Sequence, residues 1–175
     1  MQEAGTLEVF AEIAIAIAGF SGVVSALGGG TKATDLDRLR LAMLLQSSLT
    51  TAFFSLLPLV LFSTSLAPAS IWGVTSSCWI LYMAVHLTTL RRRIGYAGSA
   101  PDRMGRPLLA FAFSGIALML VLQALNAAAM RLAWPHLAAL LWGLLTASLF
   151  FVRLVQSLWS NGEAAAQHAN EPDVE

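Results

Sequence analysis

The sequence predicts an all-α integral membrane protein, built as a bundle of five transmembrane helices. The first observation is composition: of 175 residues, 57% are apolar and only 11% are charged, whereas soluble domains are about 45–50% apolar and about 25% charged. The second is the spacing of the charges, which leaves neutral stretches long enough to cross a bilayer. A soluble helical bundle is the alternative, but these stretches lack the polar faces that it needs.

The five predicted spans follow the stretches that contain no charged residue. A transmembrane helix needs about 20 mostly apolar residues, and the longest neutral stretch, 41–90, has 50 residues, enough for two helices. The predicted spans cover residues 7–27, 40–62, 71–90, 108–128 and 137–158. They form one domain, 1–162, followed by an acidic tail, 163–175, that we expect to be disordered.

Residue types that favour helix ends justify these boundaries in chain order. Glycines 28–30 follow the first span, and glycine is common just past a helix end. Thr34 and Asp37 resemble a capping box before the second span. Prolines mark the later boundaries, where a missing N–H is tolerated: Pro68, Pro107 and Pro135.

The distribution of Lys and Arg predicts the orientation of the chain. With five spans, nine of these cations lie on the side of the C-terminus or near it, and only Arg131 lies on the other side. Short loops rich in Lys and Arg stay in the cytoplasm. We therefore expect a multi-pass protein of the inner (plasma) membrane, with its N-terminus outside and its C-terminus cytoplasmic.

Polar residues inside the predicted spans are the candidate functional residues, because such groups are rare at membrane depth. A helix rises about 1.5 Å per residue, which gives the depth of each of these residues in the membrane. By depth they form an outer layer and an inner layer. Ser and Thr residues of the second and third spans connect the two layers. This arrangement predicts an ion path or pore lined by Glu12, Gln46, Thr50, Thr51, His86, Gln123 and Asn126.

Each of these residues also has a structural interpretation. Glu12 lies in the headgroup region if the first helix begins later than predicted, and it faces Gln123 and Asn126 if the helix begins as predicted. His86 is either a proton site or pH sensor or a neutral donor between helices. Ser and Thr side chains commonly hydrogen-bond across membrane helices without further function.

The first span carries small residues at every fourth position, which is typical of closely packed membrane helices. We expect this face to pack against another helix, of the same chain or of a second one. The four residues are Ala14, Ala18, Gly22 and Ala26.

Composition and spacing disfavour several other classes of protein. Zero formal net charge argues against a nucleic-acid binder that works through a basic face. The single cysteine, Cys78, excludes an internal disulfide or a cysteine metal cluster. His86 and His136 lie at opposite depths, which disfavours paired haem ligation. We therefore expect no cofactor and no metal.

The segment Gly19-Phe20-Ser21-Gly22 resembles the G-x-S-G nucleophile motif of rhomboid intramembrane proteases. The resemblance implies a nucleophilic Ser21, and His86 at a similar predicted depth is a conceivable base. The other rhomboid features, a helix with both His and Asn and six core spans, are absent from this sequence. We therefore expect no enzymatic activity.

The function that these observations favour is a homo-oligomeric ion channel or pore, because one chain of this size is too small to enclose a wide path. The alternative is a non-conducting membrane subunit, an assembly or signalling partner of another protein. A small transporter is a further alternative. The expected partners are the lipid bilayer and either further copies of the chain or another membrane protein, with no nucleic acid.

Overall fold

The structure, a computed structural model, describes residues 3–27, 35–96 and 105–169. All regular structure in these ranges is helical, so the prediction of an all-α chain is confirmed there. The five α-helices are α1 (Ala4–Leu27), α2 (Asp35–Phe62), α3 (Pro68–Tyr96), α4 (Gly105–Leu125) and α5 (Ala133–Ala169), and a π-helical turn, Asn126–Met130, follows α4.

Four of the helices, α1, α2, α4 and α5, are long and apolar enough to cross a membrane. Helix α3 is long enough, at 29 residues, but it carries more hydroxyl-bearing residues and three consecutive arginines. Large apolar side chains also point away from the bundle, as lipid-facing side chains do. Phe20, Leu81 and Leu118 are each more than 60% exposed.

The helices extend beyond the predicted spans at several ends. Helix α3 continues through the arginines to Tyr96, and α5 continues to Ala169. Residues 163–169 of the predicted disordered tail are therefore helical. The physical reason is local, because alanine is a strong helix former and three alanines, Ala164–Ala166, follow Glu163. Residues 170–175 lie outside the described ranges, as do the glycines 28–30 and Thr34.

Side chains from all five helices form the largest apolar cluster, at the end of the bundle where α2 ends and α3 begins. We call this the Trp72 end. The buried members are Leu7, Phe54, Trp72, Trp79, Met119, Ala139 and Leu140. A second cluster, made by Met43, Leu44, Phe150 and Leu154, lies towards the opposite end, which we call the Asp37 end.

Two glycines allow neighbouring helices to approach closely. A Cβ at Gly115 of α4 would overlap the indole of Trp142, and a Cβ at Gly143 of α5 would overlap Thr51 Oγ1. Helix α2 thus packs closely on α5 along its length, whereas α1 packs mainly on α2 and α5 at the edge of the bundle. Of the four span-length helices, α1 has the smallest share of buried residues.

A buried carboxylate joins the first turns of α2 to the far part of α5. Asp37 is 2% exposed, and its Oδ1 accepts hydrogen bonds from Ser157 Oγ (2.7 Å) and from Arg40 Nη1 (3.1 Å). Asp37 thus makes a tertiary contact, because Ser157 lies 120 residues further along the chain, whereas its capping role with Thr34 stays a prediction.

Candidate functional site

The outward face of α1 carries two carboxylates. Glu8 and Glu12 are one helical turn apart and exposed, whereas Leu7, Ala11 and Ala14 on the other side of the helix are buried. No hydrogen bond or ion pair within the described ranges involves either glutamate. The same exposed stripe continues with Ala16 and Gly19, and it leaves space for an approaching helix.

The two amides predicted to partner Glu12 instead hold the turn between α4 and α5. Gln123 Nε2 donates to the carbonyl of Pro135 (2.7 Å). Asn126 Nδ2 donates to Ser76 Oγ (2.8 Å) and to the carbonyl of Leu132 (3.1 Å), and Asn126 Oδ1 accepts from the Leu132 N–H (2.9 Å). Both amides are completely buried.

The π-helical turn explains why Asn126 is needed at this position. The N–H of Arg131 bonds to the carbonyl of Asn126 (2.9 Å), and Arg131 adopts a left-handed conformation with φ 50°. This wide turn leaves backbone groups of the connection without helical partners, and the Asn126 side chain satisfies those of Leu132. Gln123 and Asn126 were expected to pair with Glu12, but in the structure they bond to the turn between α4 and α5 and to Ser76.

A completely buried histidine, His136, was not among the predicted site residues. Its Nε2 donates to the carbonyl of Phe54 (2.8 Å). Pro58 stands four residues after Phe54 and has no N–H, so the helix itself cannot bond this carbonyl. Pro58 was the available sequence signal, because a proline leaves the carbonyl four residues earlier without its helical N–H donor. That carbonyl then needs a donor from another element. The sequence does not show which of the later helices supplies that donor.

Three of the predicted residues, Gln46, Thr50 and His86, meet towards the Asp37 end. Gln46 Nε2 donates to the hydroxyl of Tyr82, and a hydrogen bond joins that hydroxyl to Thr50 Oγ1 (2.7 Å). The rings of Tyr82 and His86 stack in parallel, with centroids 6.2 Å apart. Tyr82 is thus a central residue of this group that the predicted set omitted, although it shares a helical face with His86.

This group borders two neighbouring spaces between the helices. A partly open cleft of about 280 Å³ lies between α2 and α3, where Leu39, Met43 and Val85 provide apolar walls. A smaller pocket of about 50 Å³ extends towards α5 and includes Trp142 in its lining. The two spaces share Met43, Gln46 and His86.

One face of α2 carries a stripe of hydroxyl groups that mainly serves helix packing, made by Ser47, Thr51 and Ser55. Ser47 Oγ donates to the carbonyl of Gly143 on α5 (2.7 Å). Thr51 and Ser55 donate to carbonyls of their own helix, four residues back (2.9 and 2.8 Å). Thr51 also borders the small pocket, so the structure places it near Gln46 and Thr50.

The small residues of α1 occupy different environments within the chain. Ala14 is buried against Ala52 and Leu144, whereas Ala18 is half-buried and Gly22 and Ala26 are exposed. A Cβ at Gly22 would meet nothing within 4 Å. Packing of the exposed half of this face against another chain stays a prediction.

The remaining chemical candidates show no catalytic arrangement in the described ranges. Ser21 is buried, and its Oγ donates to the carbonyl of Ala18 in the same helix (2.7 Å). Within residues 3–27, 35–96 and 105–169, no group of three or more His, Cys, Asp or Glu residues could hold a metal ion.

The geometry thus separates three features: the outward carboxylates of α1, the buried amides and histidine at the Trp72 end, and the cleft between α2 and α3. Comparisons with known proteins add no relative, because no family model, curated protein or solved structure matches the chain.

Proposed function

We propose that the chain crosses the inner membrane five times and assembles with further copies of itself into a cation channel, in which the outward faces of α1 line a shared path. The proposed orientation places the start of α1 outside and the end of α5 in the cytoplasm, as the distribution of Lys and Arg favours. Helix α3 is the fifth span, covered partly by its neighbours.

The observation that carries this proposal is the exposure of Glu8 and Glu12 without a partner among the described residues. An ionised carboxylate that faces lipid is costly, so such a group usually faces water or another protein. A ring of several α1 helices would turn these side chains towards a common aqueous axis. Rings of Glu or Asp are one way in which channels select cations.

The surroundings of the two glutamates favour assembly of this kind. Ala16 and Gly19 continue the stripe, and small residues allow helix backbones to approach closely. Many of the buried polar residues of a single chain are engaged in other bonds, notably Gln123 through its Nε2, Asn126, and the hydroxyls of Ser47 and Ser55. A path between copies therefore explains the glutamates more directly than a path through one chain.

The test is cation flux through liposomes that contain the purified chain, with the oligomeric state in mild detergent measured on the same sample. A carboxylate attracts a cation 4 Å away by about 1 kcal/mol in water, which is about fivefold in local concentration. Glu12→Gln keeps the shape of the side chain and removes its charge. We expect cation flux to fall about fivefold or more, or its preference over chloride to disappear, with the oligomer intact.

Glu8→Gln is the graded control, because this residue lies one turn closer to the start of α1 and should affect flux less. If wild-type oligomers conduct and Glu12→Gln changes neither flux nor selectivity, the path does not run along α1. Oligomers that conduct no better than empty liposomes would exclude the channel altogether.

A non-conducting membrane subunit is the second candidate, favoured by the hydrogen bonds that already satisfy most buried polar side chains of the chain. In that case α1 would present Glu8 and Glu12 to a cationic residue of a different membrane protein. Folded protein without flux would support this function over the channel.

A further inference from the structure

The cleft between α2 and α3 and its small inner pocket have no role in the proposed ion path. Their combined lining contains amide, phenol, imidazole and hydroxyl groups beside apolar side chains, and the described residues of this lining include no Asp, Glu, Lys or Arg. Burying a charged group without a countercharge is costly. The part of any ligand that enters this site must therefore be neutral, and mostly apolar.

One residue that lines the inner pocket carries a hydrogen-bond donor without an acceptor in the described part of the chain. Trp142 lines this pocket, and its Nε1 is buried without a partner among the described residues. An indole N–H can only donate, so the group that satisfies it must be an acceptor, such as a carbonyl oxygen. A space of about 50 Å³ is large enough for one such oxygen or for a water molecule.

The size and position of the outer cleft suggest what the rest of the ligand is. About 280 Å³ between Leu39, Met43 and Val85 is room for a ring or a short length of acyl chain. The cleft is partly open between two helices of the bundle, so an apolar tail could continue out of it.

We propose that this cleft binds a neutral membrane amphiphile through a carbonyl oxygen, which accepts a hydrogen bond from Trp142 while the apolar body lies between α2 and α3. Membrane quinones and the esters of acylglycerols share this chemistry. Gln46 lines both spaces and is the second group in position to bond to the head of the ligand. The proposal does not depend on conduction.

The test measures heat resistance of the purified full chain in mild detergent, as the fraction that stays monodisperse on size-exclusion chromatography. Decylubiquinone and dioctanoylglycerol are the two probes, titrated separately. Ligand at a hundredfold excess over its Kd should raise the midpoint by roughly 5 °C or more and in a saturable manner. The probe that produces the larger shift identifies the source of the carbonyl.

Two variants make the test specific. Ala42→Phe fills the cleft without removing a hydrogen bond and should abolish the shift, whereas Ala84→Phe, an equal change at an exposed position of α3 outside the lining, should preserve it. Trp142→Phe removes the donor and keeps an aromatic ring, and it should weaken binding about tenfold. The proposal is overturned if neither probe produces a shift, if both alanine variants respond alike, or if Trp142→Phe binds as the wild type does.

Discussion

At the scale of single residues, the contact between His136 and Phe54 shows how a missing N–H in one helix requires a hydrogen-bond donor from another helix. Pro58 leaves the Phe54 carbonyl without its helical donor, and His136 Nε2 satisfies it. The bond lies in a fully buried region beside Trp72, whose ring centroid is 6.0 Å from that of His136. A buried carbonyl without a donor is unfavourable, so the proline and the histidine depend on each other.

This dependence predicts a coupling that a double-mutant cycle can measure. His136→Ala should lower the free energy of unfolding by about 1–3 kcal/mol, because the carbonyl is left without a donor. In a Pro58→Ala background, the N–H at position 58 can bond to the carbonyl of Phe54, so the same change should cost about 1 kcal/mol less. Reversible unfolding in detergent gives both values, and equal costs in the two backgrounds would contradict the mutual dependence.

At the scale of whole helices, the closest contacts depend on which glycine lies against a side chain of a neighbouring helix. The spacing of small residues along one helix does not reveal where these contacts occur. The face of small residues on α1 packs partly against α2 and α5 and is partly exposed. The close approaches occur instead at two isolated glycines, one of them Gly115 beneath the Trp142 indole. Periodicity therefore identified a helix surface, but not the neighbour that covers it.

Substituting alanine for glycine at two positions should distinguish these environments. Gly115→Ala adds a methyl group where the Trp142 ring lies, and overpacking of this kind typically costs about 1–3 kcal/mol. Gly22→Ala is the matched control, because its new methyl group meets nothing within 4 Å. We expect it to be neutral or to stabilise the helix by up to about 1 kcal/mol. Thermal unfolding of the two variants side by side checks this, and equal midpoints would contradict the contact.

The sequence predicted the helices better than it predicted their partners. Neutral stretches and prolines indicated all five helices, because apolar length and a missing N–H act locally. Gln123 and Asn126 were identified as buried polar residues, but their partners are backbone groups of a turn whose π-helical form has no clear sequence signature. Tyr82 was not among the predicted residues, because its bonds to α2 depend on how two helices align.

At the scale of the whole molecule, the main question is whether α3 can cross a membrane, as the length and composition of the other four helices allow them to do. Two of its hydroxyls at the Trp72 end are buried and bonded: Thr75 donates to the carbonyl of Ile71 (2.8 Å), and Ser76 accepts from Asn126 Nδ2 (2.8 Å). Trp79 is buried in the same cluster as Leu7 and Leu140. The polar groups that reduce its apolar character are therefore partly shielded by neighbouring helices, which is compatible with a fifth span.

Five spans place the two termini on opposite sides of the membrane, and four place them on the same side. In a Cys78→Ser background, we expect a cysteine at Gln2 to react with an impermeant maleimide from outside. A cysteine at Asn161 should react only after the inner face has been opened. The basis is the nine-to-one distribution of Lys and Arg. Labelling of both positions from the same side would exclude the five-span arrangement.

The bond from His136 to Phe54 also has a consequence for biosynthesis. Its two residues are 82 positions apart, and a ribosome adds about 5–20 residues per second, so the histidine is made roughly 4–16 s after the carbonyl it serves. During that interval α2 has left the ribosome with an exposed polar group at its proline. Water, a lipid headgroup or the insertion machinery must bond to that group until α5 is made, so the hydrogen bonding of α2 is completed only by a helix synthesised much later.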